Sequence, residues 1–435
     1  MNWKSKLITL DQALSMVKSG DSIITGMAAS EAKAFLSRIH EIAPRVRDVE
    51  VVTCLPMSDY PFFADPQYKE SFLHSGWFFT AAMRRSHAYG NTTFIPNHLH
   101  VAARKRLDYR VPSIYIGSAA MPDRHGNVSL SLSVTYETEI IKAADVVILE
   151  INPNFPRTFG DAIMSCADVD YFIETDYQPG ELSIAAPNEK DKIIGEYIAD
   201  LVEDGATIQL GVGGIPNAVA TALRHKRDLG VHTEMITDGM VDLIECGTIN
   251  GKRKSLCEGK AIGTFAMGTR RLYDFLDDNP TVELRRGCWV NDPYVIGQNY
   301  KMVSINTAIE IDLFGQVCSE SIGTRQFSGA GGQADTAIGA QNSPGGKSII
   351  ALYSTAMVKT GEGDARQPVS KIVPTLAPGA AVTLSRADVD YVVTEYGVAA
   401  LRGTPIRERV KRLTAIAHPD FKEELIKQAH ELRIW

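Results

Sequence analysis

Between Ala206 and Gly239 the chain reads as a strand, a glycine turn, a helix and a second strand. The apolar run Ala206-Thr-Ile-Gln-Leu210 leads into Gly211-Val-Gly-Gly214, and Ile215 to Arg224 follows with helical spacing. Pro216 suits a first helical turn, and Ala218, Val219, Ala222 and Leu223 fall on one face. A short second apolar run then carries Glu234 inside it, in Val231-His-Thr-Glu-Met-Ile-Thr-Asp-Gly239. About thirty residues is the length of a βαβ unit, whose two strands run parallel. The glycine turn and the end of the second strand then share one sheet edge, where open α/β folds bind ligands. Glu234 is thereby brought towards a loop of backbone N–H groups. A carboxylate beside such donors suits covalent catalysis, a nucleophile next to an oxyanion stabiliser.

A chain of 435 residues holds two or three domains with sizeable cores. A net charge of −7 argues against nucleic acid as the main partner. Apolar runs such as Asp145-Val-Val-Ile-Leu-Glu150 are far too short to cross a bilayer, so no membrane association is expected. Met1-Asn-Trp-Lys-Ser-Lys6 carries no apolar leader, and a cytoplasmic location is expected. The six cysteines are scattered, with no Cys-x-x-Cys pair, which fits reduced thiols and gives no zinc or disulfide framework.

Two stretches can be laid together: Gly20-Asp-Ser-Ile-Ile-Thr-Gly26 and Gly205-Ala-Thr-Ile-Gln-Leu-Gly211. Three buried-strand runs end in an acid, at Glu150, Glu174 and Glu395. With β-rich runs alternating with helical patterns throughout, the expected fold is two similar open α/β domains with largely parallel sheets. They would span 1–185 and 186–435, joined through the Pro-, Gly- and charge-rich stretch from Tyr177 to Lys190. Two unrelated α/β domains sharing common strand grammar remain an alternative.

Other segments carry weaker chemistry. The loop Gln326-Phe-Ser-Gly-Ala-Gly-Gly-Gln-Ala-Asp335 lets backbone approach a ligand, and Lys347 is placed to meet a phosphate. Its spacing is neither a P-loop nor a dinucleotide fingerprint, and glycine content alone favours a plain surface loop. His125 lies in the tight turn Asp123-Arg-His-Gly126 and reads as structural. His98 and His100 have no acidic partner at metal-ligand spacing, so no metal is expected. Arg84-Arg85 reads as a solvated pair rather than a carboxylate clamp. Glu150, Glu174 and Glu395 compete with Glu234, although acids at strand ends often cap a neighbouring helix.

Several motifs together resemble the acetyl-CoA hydrolase/transferase family over nearly the whole chain. They include Met121-Pro-Asp-Arg-His-Gly126, Gln209-Leu-Gly-Val-Gly-Gly-Ile-Pro216, His232-Thr-Glu-Met-Ile-Thr-Asp-Gly239, Ser328-Gly-Ala-Gly-Gly-Gln333 and Thr394-Glu-Tyr-Gly-Val-Ala399. By these motifs the chain resembles the 4-hydroxybutyrate and butyryl-CoA:acetate CoA-transferases in particular. The resemblance implies an active site between two α/β domains, with Glu234 as the nucleophile. It further implies coenzyme A contacts at Gly211, Val212, Gly213, Gly214 and Ile215, at Gly331 and Gly332, and at Asn306. Coenzyme A and acyl-CoA would be substrates, with no tightly bound cofactor, and a homo-oligomer is expected. A hydrolase using the same glutamate, or a non-catalytic acyl-CoA or carboxylate sensor, stays open. Ala81-Ala-Met-Arg-Arg85 and Asp335-Thr-Ala-Ile-Gly-Ala340 depart from the family pattern and leave the acyl pocket undetermined.

Overall fold

Two parallel sheets turn their carboxyl ends towards each other in this computed structural model, which describes residues 3–183, 185–359 and 365–435. The first sheet has seven strands, all paired in parallel. Their order is Tyr171–Glu174, Val146–Ile151, Ile114–Ala119, Ser22–Thr25, Val49–Thr53, Phe72–Gly76 and Thr92–Phe94. Ser22–Thr25 and Ile114–Ala119 are buried along their whole length, as strands covered on both faces must be. Apolar β-branched residues such as Ile23, Ile24, Ile114 and Ile116 suit that double burial.

The second sheet has six strands: Gly230–Val231, Thr207–Leu210, Met302–Thr307, Lys347–Ala351, Tyr391–Thr394 and Gly397–Ala400. The first five run parallel and the last folds back as an antiparallel hairpin. Ser22–Thr25 lies between the strand that follows it in sequence and a much later one, and so does Thr207–Leu210. The two stretches that align in sequence therefore occupy equivalent switch points in their sheets. Ligands of open α/β sheets bind outside the carboxyl ends at such points.

The two halves share one apolar core, which runs from Ile24, Tyr115 and Leu149 through Ile208 and Val219 to Phe265 and Val303. Backbone pairing ties them as well. Phe159–Gly160 joins Val282–Leu284 and Ala261–Gly263 in a small three-stranded sheet.

The strand expected around Glu234 is not continuous. Gly230–Val231 pairs with Thr207–Ile208, whereas Met235–Ile236 leaves that sheet and pairs with Phe265–Ala266. Glu234 sits in the break between them, and its carbonyl accepts from Thr264 N (2.9 Å) and Phe265 N (3.2 Å). The apolar run satisfies two different sheets in succession, and the glutamate occupies the crossing.

Candidate active site

Thr207–Leu210 ends at Gly211 and Val212, which form one wall of a cavity of about 360 Å³. Met302–Thr307, the neighbouring strand, contributes Asn306 and Thr307 at its carboxyl end. The first sheet supplies the opposite wall from four successive strand ends: Met27, Cys54 with Leu55, Trp77 with Phe78, and Asn97 with Leu99. Glu234 lies between the walls, and Ser328 to Gln333 closes the cavity beside it.

The contact between Glu234 and the glycine loop is close. Asn291 Nδ2 donates to Glu234 Oε2 at 3.2 Å, and the Gly332 N–H also points to the carboxylate. A Cβ at Gly332 would stand 2.1 Å from both Glu234 Oε2 and Asn291 Nδ2. Glycine is required there because no side chain fits between the loop and the carboxylate. Gly331 has φ +53°, the left-handed conformation that also favours glycine. Gly332 caps the helix Gln333–Asn342, so Glu234 faces the positive end of a ten-residue helix.

Glu234 is nevertheless a reluctant anion. Burial raises its pKa to about 7, Asp335 adds to the rise, and the Asn291 and Gly332 donors oppose it. A carboxylate poised near neutrality in a cavity is a nucleophile or acid/base candidate. Its neighbours are held rigidly. His232, two residues before it, is buried and kept neutral, with its pKa lowered to about 4 chiefly by desolvation. Its Nε2–H donates to Val290 O at 2.8 Å and so fixes the segment that presents Asn291. Asn306 donates to Ser304 Oγ and Thr336 Oγ1, each at 3.0 Å, and to Gln209 Oε1 at 3.3 Å.

The glycine loop takes its position from the opposite half of the chain. Phe79 N donates to Ser328 O and Leu99 N to Gly331 O, both at 3.2 Å. Arg84 Nη1 donates to Phe327 O at 2.7 Å, and its guanidinium stacks on the Phe327 ring at 4.2 Å. A plain surface loop, the reading from glycine content, is therefore corrected: Gly329 and Gly332 are buried at the junction of both sheets.

The sequence of this chain matches two family models. Residues 1–182 match the acetyl-CoA hydrolase/transferase N-terminal domain and residues 268–429 the C-terminal domain. The chain belongs to the acetyl-CoA hydrolase/transferase family. It is 43% identical to a succinyl-CoA:cyclohexane-1-carboxylate CoA transferase of Geobacter metallireducens, covering 99% of this chain and 96% of that protein. It is 40% identical to a 4-hydroxybutyrate coenzyme A transferase of Clostridium kluyveri, covering 98% and 97%. The crystal structure of RipA from Yersinia pestis superposes with a TM-score of 0.91, at 33% identity and full coverage of both chains. The protein is thus an enzyme, a CoA-transferase.

Within this CoA-transferase, the expected site residues separate into three groups. Glu234, Gly211, Val212, Asn306, Gly331 and Gly332 line the cavity. Gly213 begins the helix Gly214–Ala222, and with Gly214 and Ile215 it leads away from the lining. Lys347 stands apart: it opens its strand at the amino end, donates to Leu201 O at 2.8 Å and pairs with Glu203 at 3.1 Å. A phosphate contact from that edge is not supported, because the cavity lies at the carboxyl edge.

The rival acids have structural tasks. Glu150 accepts from Phe35 N (2.7 Å), Ala34 N (3.1 Å) and Tyr177 Oη–H (2.6 Å), so it caps the helix Lys33–Arg38. Glu395 accepts from Ser354 N at 2.8 Å and pairs with Lys190 at 2.9 Å. Glu174 is exposed at its strand end. His125 sits in an exposed turn built on Asp123, and Arg85 pairs with Asp59.

Three contributors escaped the sequence reading: Asn291, the Trp77-Phe78 wall and Asp335 as the partner of His100. Only Asn97-His-Leu-His100 carried a visible signal, and its acidic partner is 235 residues away.

Among the described residues, no three-residue His/Cys/Asp/Glu group could hold a metal, and no helix is long and apolar enough to cross a membrane.

Proposed function

We propose that the enzyme moves coenzyme A between a short-chain acyl-CoA and a monocarboxylate, of the butyrate or 4-hydroxybutyrate type, through a thioester on Glu234. The Glu234 carboxylate attacks the thioester carbonyl, while N–H groups of the glycine loop hold the oxyanion. The carbon–sulfur bond breaks and coenzyme A thiolate leaves, so a mixed acyl-glutamyl anhydride remains. The thiolate then attacks the glutamyl carbonyl and expels the first carboxylate. An acceptor carboxylate reverses these steps on the resulting glutamyl-CoA thioester. Water must be kept from both intermediates, and the apolar wall of Met27, Leu55, Trp77 and Phe78 serves that end.

The carrying observation is the placement of Glu234 against Gly332 at the floor of a cavity built by both sheets. The monocarboxylate reading rests on the lining: among the described residues, Glu234 is its one acidic or basic side chain. A second carboxylate on the acyl group would be buried without a cation, which costs several kcal/mol in practice. The division of the chain near residues 185 and 186 belongs to this reading, supported by the first sheet ending at Glu174 and the second beginning at Thr207.

Initial rates with acyl-CoA and carboxylate varied should give the parallel lines of a ping-pong enzyme, and intersecting lines would overturn the covalent route. Acetate should accelerate loss of acyl-CoA; indifference to acetate would instead show a hydrolase. Butyrate and 4-hydroxybutyrate should exceed succinate about tenfold or more in kcat/KM, a ratio set by the unpaired charge.

A further inference from the structure

We infer that His100 and Asp335 form a positioning pair that sets both the place of the glycine loop and the charge felt by Glu234. Asp335 is buried in the first turn of Gln333–Asn342, three residues beyond Gly332. His100 comes from the opposite half of the chain and grips it twice. Its backbone N donates to Asp335 Oδ2 at 3.2 Å and its ring Nδ1 to Oδ1 at 2.8 Å. The adjacent Leu99 N donates to Gly331 O at 3.2 Å. The segment His98 to His100 is thus fastened both to the loop that touches Glu234 and to the helix behind it.

The charges make the pair more than a fastener. Asp335 is near enough to Glu234 to discourage its ionisation. His100 is held protonated more readily than an ordinary histidine, first by its hydrogen bond to Asp335. The other titratable or charged groups around it are His98, 3.9 Å from Asp335 through Nδ1, together with Asp292 and Arg104. An imidazolium on Asp335 offsets part of the negative charge that opposes Glu234. A neutral imidazole keeps the geometry and leaves that charge exposed to Glu234.

This rests on Glu234 as the nucleophile, and the test keeps the two apart. The probe is butyryl-CoA without acceptor, quenched with borohydride at a series of pH values, with reduction at Glu234 read by peptide mapping. The same pH series is run on kcat/KM for exchange. Asp335→Asn should move the acid limb of both profiles down by about one pH unit, and His100→Asn should move it up by a similar amount. His100→Asn retains a donor near the Nδ1 position, so its plateau rate should stay within about threefold of wild type, whereas His100→Ala, which also releases the loop, should lose about tenfold or more. Limbs that stay in place, or move the same way in both variants, overturn the inference. Absence of a reducible Glu234 adduct in the wild type overturns the nucleophile reading, and the inference falls with it.

Discussion

Glu150 stands near the carboxyl end of Val146–Ile151 in the first sheet and Glu234 just beyond Gly230–Val231 in the second, and burial raises the pKa of each to about 7. By acidity they cannot be told apart. They differ in what their oxygens touch. Both oxygens of Glu150 are engaged by backbone N–H groups and by Tyr177, and it is absent from the cavity lining. Glu234 has one side-chain donor, a glycine N–H and an open cavity beside it. A perturbed pKa therefore marks burial, and access with unused acceptor capacity marks the site.

The sharpest separation comes from neutralising each acid. Glu234→Gln should abolish exchange, at least about ten-thousandfold, since it removes the group that forms the covalent bond. Glu150→Gln should keep the exchange rate within about fivefold while costing about 1–3 kcal/mol of stability, because an amide NH₂ then faces donors. A chemical denaturation curve and a coupled exchange assay measure both. Comparable loss of activity in the two variants would erase the distinction.

A smaller effect is expected at Gly332. Gly332→Ala places a methyl where Glu234 and Asn291 already stand, and a displacement of about 1 Å can cost about a hundredfold in rate. The folded state should persist, as circular dichroism and the thermal midpoint would show. Near wild-type exchange would mean the loop does not set the carboxylate.

The next difference is in pH. Only the ionised form of Glu234 attacks, so kcat/KM should fall as pH drops through about 7 and level off above it. Glu150→Gln should leave that limb unmoved, because Glu150 is not the group titrating in the reaction. A limb that disappears in Glu150→Gln would exchange the roles of the two acids.

The smallest effect belongs to Lys347. Its partner is Glu203 at the far sheet edge, so Lys347→Ala should change KM for acyl-CoA by less than about twofold, as exposed ion pairs contribute little. A tenfold rise would return it to the binding site.

Much was legible in the chain itself. The alternation of apolar runs with helical spacing gave the parallel sheets, because a strand buried on both faces needs an unbroken apolar stretch. The stretch from Gly205 to Gly211 and its counterpart from Gly20 to Gly26 fell at matching switch points. Glu234, Asn306 and the glycine loop were found through motif resemblance. Spacing alone left four acids in competition, since a strand end looks the same in sequence whether its acid caps a helix or faces a cavity.

What the sequence determined by itself is local: periodicity, turn chemistry and the family motifs, each written in residues close along the chain. Tertiary structure decided the rest. It split the Glu234 run between two sheets, withdrew Lys347 to the far edge, set Trp77 in the cavity wall, and brought Asn291 to Glu234 and His100 to Asp335. The physical reason is that these contacts join groups up to 235 residues apart, and their closeness follows from the packing of two sheets on one core.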